Sequence, residues 1–297
     1  MKLLVHHENH NPRDPAVIYH EGRYYHCFSQ DKNICICVSK DLKGLDEAKV
    51  NIVFTADKEE YSHELWAPEL HIIDDKCYIY VAMDDGDNYH HRMYVLENNS
   101  SNPLDPYKMH GKITDSTNKW AIDGTIIKYH NKMYFAWSGW EGDENVAQNI
   151  YIAEMSDPFT LSSERRMISM PDREFEKRSC DGINAPFINE GPFAFYHDDD
   201  LYIIYSGSGS WDIYYCLIAL KLEGKDPMKD NWSKADAPLL ENNDIVKGPG
   251  HCSIIQGEEK NLIFFHAWRK DEKIIRWDTV DSYVGELIFK DGKFIVK

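Results

Sequence analysis

One short phrase of apolar and polar positions recurs five times along the chain. An extended apolar run ends in a polar turn, and a second run rich in Tyr, Ile and Phe follows. The five instances are DPAVIYHEGRYYHCFS from Asp14, ELHIIDDKCYIYVAM from Glu69, DGTIIKYHNKMYFAWSG from Asp123, EGPFAFYHDDDLYIIYSG from Glu190 and HCSIIQGEEKNLIFFHAW from His251. The turns HEG, DDK, HNK, HDDD and GEEK are hairpin chemistry, because Gly, Asn and Asp accept the backbone angles of a tight turn. A third apolar run follows each pair: ICICVS, RMYVLE, NIYIAEM, YYCLIAL and KIIRWD. No long amphipathic helical period competes.

The phrases start at residues 14, 69, 123, 190 and 251, about 55, 54, 67 and 61 residues apart. Each unit has room for a four-stranded sheet and a loop. Periods of this size indicate propellers or solenoids, and short antiparallel units packed radially leave few exposed edges. The expectation is an all-β, five-bladed β-propeller with an axial active-site pocket, residues 1–297 forming one catalytic domain. Length alone suggests two domains, but closed all-β folds reach this size as one.

Each phrase opens on a polar or ionisable residue. Asp14, Glu69 and Asp123 each precede a second-strand Tyr (25, 80 and 134) by 11 residues, and Glu190 precedes Tyr202 by 12. These residues are therefore expected at equivalent places, converging with His251 at one mouth of the axis. A single Asp before a strand is an ordinary turn residue. Five equivalent polar positions are harder to explain that way.

Composition narrows the function. With 33 basic and 50 acidic residues the net charge is −17, so nucleic acid and anionic membranes are repelled, whereas a neutral sugar is not. Eighteen Tyr and eight Trp suit both β packing and sugar stacking. Trp66, Trp137, Trp140 and Trp211 flank the phrases, as wall or as core. No run approaches the ~18 apolar residues of a membrane span. MKLLVHHENH lacks the apolar core of a signal peptide, which points to the cytoplasm, or to secretion after removal of a leader. Seven Cys without a CxxC pair read as buried thiols. The HHENH and HH (90–91) histidines read as solvated loops.

The segments RDPAVIYHEGRYY, WAPELH with CYIYVA, WAIDGTIIKYHNKMYFAWSG, INEGPFAFYHDDDLYIIYSGSG and GPGHCSI resemble glycoside hydrolase family 43, from Asn11 to about Arg276. The combination is most similar to its exo-acting α-L-arabinofuranosidase branch. The resemblance implies five-bladed propellers and an inverting mechanism, with Asp14 as base, Glu190 as acid, and Asp123 holding the sugar and keeping the pKa of Glu190 high. It implies a supporting role for His251, or a metal or water at that residue. No cofactor is required, and any metal would be a structural Ca²⁺ in the axial channel, reached by His251 through water. Trp66, Glu69, Trp137, His251 and Arg276 are the expected substrate contacts, with Glu69 at the pocket rim or merely capping its blade. The expected partner is an arabinose-containing plant-type glycan. Alternatives are a β-xylosidase of the same family and a non-catalytic carbohydrate-binding propeller. A fructan-cleaving propeller is disfavoured, since no Cys follows a Glu.

Overall fold

A computed structural model describes residues 1–180 and 186–297. The chain is all-β, with short 3₁₀ turns between strands. The first antiparallel sheet contains β2 (Ala16–His20), β3 (Arg23–Gln30), β4 (Asn33–Ser39) and β5 (Asn51–Thr55), in that order. The second contains β6 (His63–Ile73), β7 (Lys76–Asp84), β8 (Arg92–Asn98) and β9 (Lys108–Lys112). A third unit has β10 (Ala121–Tyr129), β11 (Lys132–Gly139) and β12 (Ala147–Asp157), with short β13 (Thr160–Leu161) and β14 (Arg166–Ser169) on β12. A fourth has β15 (Phe187–His197), β16 (Asp200–Gly207), β17 (Cys216–Leu222) and β18 (Trp232–Lys234). A brief parallel pairing of β12 with β15 joins the third and fourth units into one nine-stranded sheet. The last sheet has β19 (Val246–Gln256), β20 (Asn261–Arg269), β21 (Asp281–Lys290) and β22 (Lys293–Val296). Its β21 also pairs with the N-terminal β1 (Lys2–Val5), so the two ends of the chain share a sheet.

Turn chemistry sets the hairpins. The loops Glu21–Gly22, Asp74–Asp75 and His130–Asn131 each place two consecutive residues at positive φ. That is the twist a two-residue hairpin needs, and the reason these residue types stand there.

The strands read as nearly continuous apolar runs because both faces of each sheet are covered. In β4, Ile34 and Ile36 enter one core cluster while Cys35 and Cys37 enter another. In β7, Cys77, Ile79, Val81 and Met83 face the first sheet, and Tyr78, Tyr80 and Ala82 face the third unit. The same division holds in β16, with Ile203 and Tyr205 on one side and Tyr202 and Ile204 on the other. The core is thus five clusters between successive units, the fifth joining Phe264 of the last sheet to Val17 and Phe28 of the first. Full burial of one such side chain contributes about 1.5–3 kcal/mol. The opening strands β2, β6, β10, β15 and β19 also pack in sequence, and β19 returns to β2. Ser253 on β19 secures that return, accepting from the Val17 amide at 3.0 Å and donating to the Pro15 carbonyl.

Six of the seven Cys are buried thiols outside any disulfide, as expected, whereas Cys180 is exposed. Among the described residues no helix is long and apolar enough to cross a membrane.

Candidate active site

The start of every unit places a residue in the left-handed backbone region at one repeated point, namely Asp14 (φ 49°), Ala67 (45°), Asp123 (56°), Gly191 (58°) and His251 (50°), and the second and last units add Glu64 (43°) and Gly248 (56°) just before it. In the four units from β6 onward the ladder register shifts at this point, the mark of a bulge that re-aims side chains. Left-handed backbone costs roughly 1–2 kcal/mol for a non-glycine residue. Four such residues at one repeated place make strain a feature of the site. Each of the five lies 11 residues before a second-strand residue, namely Tyr25, Tyr78, Tyr134, Tyr202 and Leu262.

This register corrects the sequence-based equivalence. Ala67 and Gly191, not Glu69 and Glu190, correspond to Asp14, Asp123 and His251. Glu190 stands one residue before its bulge and Glu69 two residues after. The 12-residue spacing of Glu190 was the trace of that offset. In the second unit two tyrosines, Tyr78 and Tyr80, lie close enough to mislead the count.

The offset still brings the charged groups together. His251 Nδ1 lies 3.1 Å from Asp14 Oδ1 and 4.0 Å from Asp123 Oδ2. Asp123 Oδ2 also accepts the Gly191 amide at 3.0 Å. A side chain at Gly191 would crowd the His251 ring, whose Cγ lies 3.1 Å from the place a Cβ would take. Glu190 Oε1 accepts from the Tyr215 hydroxyl at 2.8 Å.

The electrostatics separate the carboxyls. Withdrawal from bulk water works to raise Asp14, but the His251 charge above all holds it well below the ordinary carboxylate range, with Arg13 adding a little. Burial first, and then Asp123, push Glu190 up to about 8. Burial lifts Asp123 to about 6, with Asp14 adding to the rise and His251 opposing it. Burial works to lower His251, and the surrounding carboxylates, Asp14 first, overcome it and raise it. The group favours an ionised Asp14 and a protonated His251 together, beside a Glu190 that stays protonated at neutral pH. An acid and a base of one chemical type, driven apart by environment, form the signature of acid–base hydrolysis.

Residues 9–281 match the model of the family described as Glycosyl hydrolases family 43. The chain belongs to this family. An extracellular exo-α-(1→5)-L-arabinofuranosidase of Streptomyces chartreusis is 27% identical over 266 residues, 86% of this chain and 79% of that protein. An α-L-arabinofuranosidase B of Pyricularia oryzae is 26% identical over 91% of this chain, which spans about half (56%) of its length. The crystal structure of an α-L-arabinofuranosidase from Lactobacillus brevis superposes with a TM-score of 0.86 at 27% identity, covering 99% of this chain and 94% of that one.

The remaining candidates of this family 43 chain divide. Trp66 is half-buried, donates to Glu64 at 2.9 Å and stacks on His91 at 4.0 Å. Trp137 is core, packed between Phe135 and Tyr151, because its strand position points between units. Trp140 is likewise buried, stacked on Trp120. Trp211 is 52% exposed and borders a cavity of about 230 Å³ with Phe187, Ile188 and Asp212; none of the three carboxyls lines it. Glu69 is buried, paired with His71 at 2.8 Å, and it adds to the field on Asp123 and His251. Arg276 does not join the carboxyls: its exposed guanidinium forms a two-point pair with Asp278 at 2.9 and 2.7 Å. Its neighbour Trp277 instead meets the His266 ring edge-on at 5.8 Å and underlies Arg13. The loop histidines also depart from expectation, since His91 is fully buried against Asp84 at 3.0 Å.

The donor set does not make a calcium cage. His251 Nδ1 is committed to Asp14, so a Ca²⁺ in the axial channel, which takes six to eight oxygen ligands, would be held largely by waters. Among the described residues, the one group of ligating side chains with donor atoms all within 4.8 Å is His6, His7 and Glu8 at the N-terminus.

Sequence reasoning missed Tyr215, His266 and Trp277. His266 occupies the cross-strand place on β20 that Ser138 holds on β11 and Ser206 on β16. All three reach the next unit. Ser138 donates to the Asn189 carbonyl at 2.8 Å, Ser206 accepts the His251 amide at 2.7 Å, and His266 Nδ1 accepts the Asp14 amide at 3.1 Å. A backbone N–H can only donate, and burial holds His266 below its ordinary pKa, so this ring is a neutral acceptor. The signal was present in the parallel strings AWSG, IYSG and FHAW.

Proposed function

We propose that this chain is an inverting, exo-acting α-L-arabinofuranosidase that releases terminal arabinofuranosyl units from plant-type glycans such as arabinan or arabinoxylan. The observation that carries the mechanism is the opposite displacement of two carboxyls: Asp14 ionised against His251, Glu190 neutral in its buried place. Asp14 is the base that takes a proton from water, and Glu190 is the acid that protonates the leaving oxygen. Asp123 holds the sugar and raises Glu190. Two carboxyls and a water suffice, so no cofactor is called for. The arabinofuranoside specificity rests on the named activities of the relatives in Streptomyces, Pyricularia and Lactobacillus.

The architecture we infer is one domain, a five-bladed propeller whose opening strands surround the site. The cyclic packing of β2, β6, β10, β15 and β19 and the β1–β21 pairing support it. Exo action is supported by two bracing loops, 84–92 and 138–149. Trp120 donates to the Asn88 carbonyl at 2.7 Å, and Tyr89 meets the Trp140 ring at 5.4 Å. Such a braced wall, with Trp66 beside it, would close a cleft to a pocket.

Hydrolysis of 4-nitrophenyl α-L-arabinofuranoside, compared with the β-D-xyloside and with binding without turnover, tests the reading. Turnover of the arabinofuranoside, with monosaccharide as the first product from linear arabinan, is the expected result. Preference for the xyloside would reassign the substrate. Early mixed oligosaccharides would remove the exo assignment.

A further inference from the structure

We infer that Tyr215, at the end of a hydrogen-bond chain starting from the backbone of His251, fixes which oxygen of Glu190 carries the acid proton. The His251 amide donates to Ser206 Oγ at 2.7 Å. The Ser206 hydroxyl is hydrogen-bonded to Tyr215, and the Tyr215 hydroxyl donates to Glu190 Oε1 at 2.8 Å. Polarity is set at the first link, because a backbone N–H can only donate. Ser206 then passes its own proton to Tyr215, and Tyr215 passes its proton to Glu190. The reverse polarity would make Ser206 accept twice, leaving a buried hydroxyl proton to seek another partner at a cost. Oε1 is therefore an acceptor, and the proton of the neutral acid resides on Oε2.

The chain is built rigidly. Ser206 and Tyr215 are both fully buried. The Tyr215 ring stacks on His266 at 5.5 Å and occupies the space that any side chain at Gly250 would need. Burial, then the Glu190 charge, hold the Tyr215 hydroxyl well above its ordinary pKa, so it remains a donor across the working range. Tyr215 is thus a positioning residue. It orients the acid without touching substrate, and because His266 also holds the Asp14 amide, the Tyr215–His266 stack couples acid to base.

The inference rests on the proposed acid role of Glu190, and the experiment keeps the two apart. Wild type, Glu190→Gln, Tyr215→Phe and Ser206→Ala are compared on methyl and 4-nitrophenyl α-L-arabinofuranosides. The methyl leaving group needs a proton and the nitrophenolate hardly does. Glu190→Gln should lose far more on the methyl glycoside; an equal loss on both would sink the acid assignment itself. With that established, Tyr215→Phe keeps the ring and removes the donor. It should lose about 10-fold or more in kcat/KM on the methyl glycoside and less than about 3-fold on the nitrophenyl one. Its alkaline limb should move to higher pH, because the Glu190 carboxylate has lost a donor that favoured it. Ser206→Ala should act in the same direction, more weakly. Equal losses on both substrates in Tyr215→Phe, or an unmoved limb, would show a merely structural tyrosine and overturn the inference.

Discussion

His251 Nδ1 lies 3.1 Å from Asp14 Oδ1, and both residues stand on left-handed backbone where adjoining units begin. A charge pair is thereby mounted on strained backbone at the start of two units. The pairing lowers the base and raises the histidine together, as linked titration requires.

Replacing that histidine should be read in the acid limb. In the proposed mechanism Asp14 must be ionised, and His251 keeps it so well below its ordinary range. His251→Gln removes the charge, leaving burial to raise Asp14. The acid limb of kcat/KM should move up by about 1–2 pH units, with the alkaline limb less affected. A pH–rate profile on 4-nitrophenyl α-L-arabinofuranoside checks this. An acid limb that stays in place would mean that another group holds Asp14.

Glu190 makes an opposite demand on the fold. Its folded pKa of about 8 lies above the ordinary 4.5, so the folded chain binds more protons than the unfolded one between those values. Stability therefore falls as pH rises through that window, with no penalty below about 4.5. Glu190→Gln should be more stable than wild type at pH 7, by about 1 kcal/mol or more, and level with it near pH 4. Urea unfolding at the two pH values is the measurement. A variant less stable at both would show that the carboxyl is not held neutral at a cost.

The sequence made the repeat legible because a doubly covered sheet writes itself as apolar runs such as Ile34–Val38 and Cys77–Met83, punctuated by hairpin turns. The three carboxyls were legible as phrase openings. Their exact offsets were not, since a bulge adds residues without changing the apolar pattern, and Tyr78 and Tyr80 mark the count equally well. Trp137 and Arg276 were misplaced for a related reason. Whether an aromatic faces an axis or a neighbouring sheet depends on packing between units, and whether Arg276 reaches inward depends on Asp278 two residues on, which takes the guanidinium. Tyr215 was invisible because its partner, Glu190, is 25 residues away in sequence.

Gly191 offers a sharp test of the bulge. Its φ is 58°, and an added Cβ would lie 3.1 Å from the His251 ring. Gly191→Ala should cost about 1 kcal/mol for the backbone alone. The larger consequence should be kinetic. Pushing His251 away weakens its hold on Asp14, and strain in the 191 amide weakens its bond to Asp123. A loss in kcat of about 10-fold or more is expected, with a melting temperature only a few degrees lower. Wild-type turnover in Gly191→Ala would show that the ring has room to move.

The last prediction concerns the product. The proposed roles give Asp14 a water and Glu190 a leaving oxygen, with no carboxylate assigned to attack the sugar. Attack then comes once, from the face opposite the departing group. An α-L-arabinofuranoside should release β-L-arabinofuranose first, before mutarotation mixes the anomers. Inverting pairs stand about 6.5–9.5 Å apart to admit the water, and retaining pairs about 5–5.5 Å. Proton NMR of the anomeric signal in the first minutes of a reaction with excess enzyme reads the outcome directly. The same spectra carry an internal control, because spontaneous mutarotation should erode the β signal as the α signal grows. Initial appearance of the α-anomer would require a covalent glycosyl-enzyme. It would transfer the attacking role to a carboxylate and remove Asp14 from its place as base.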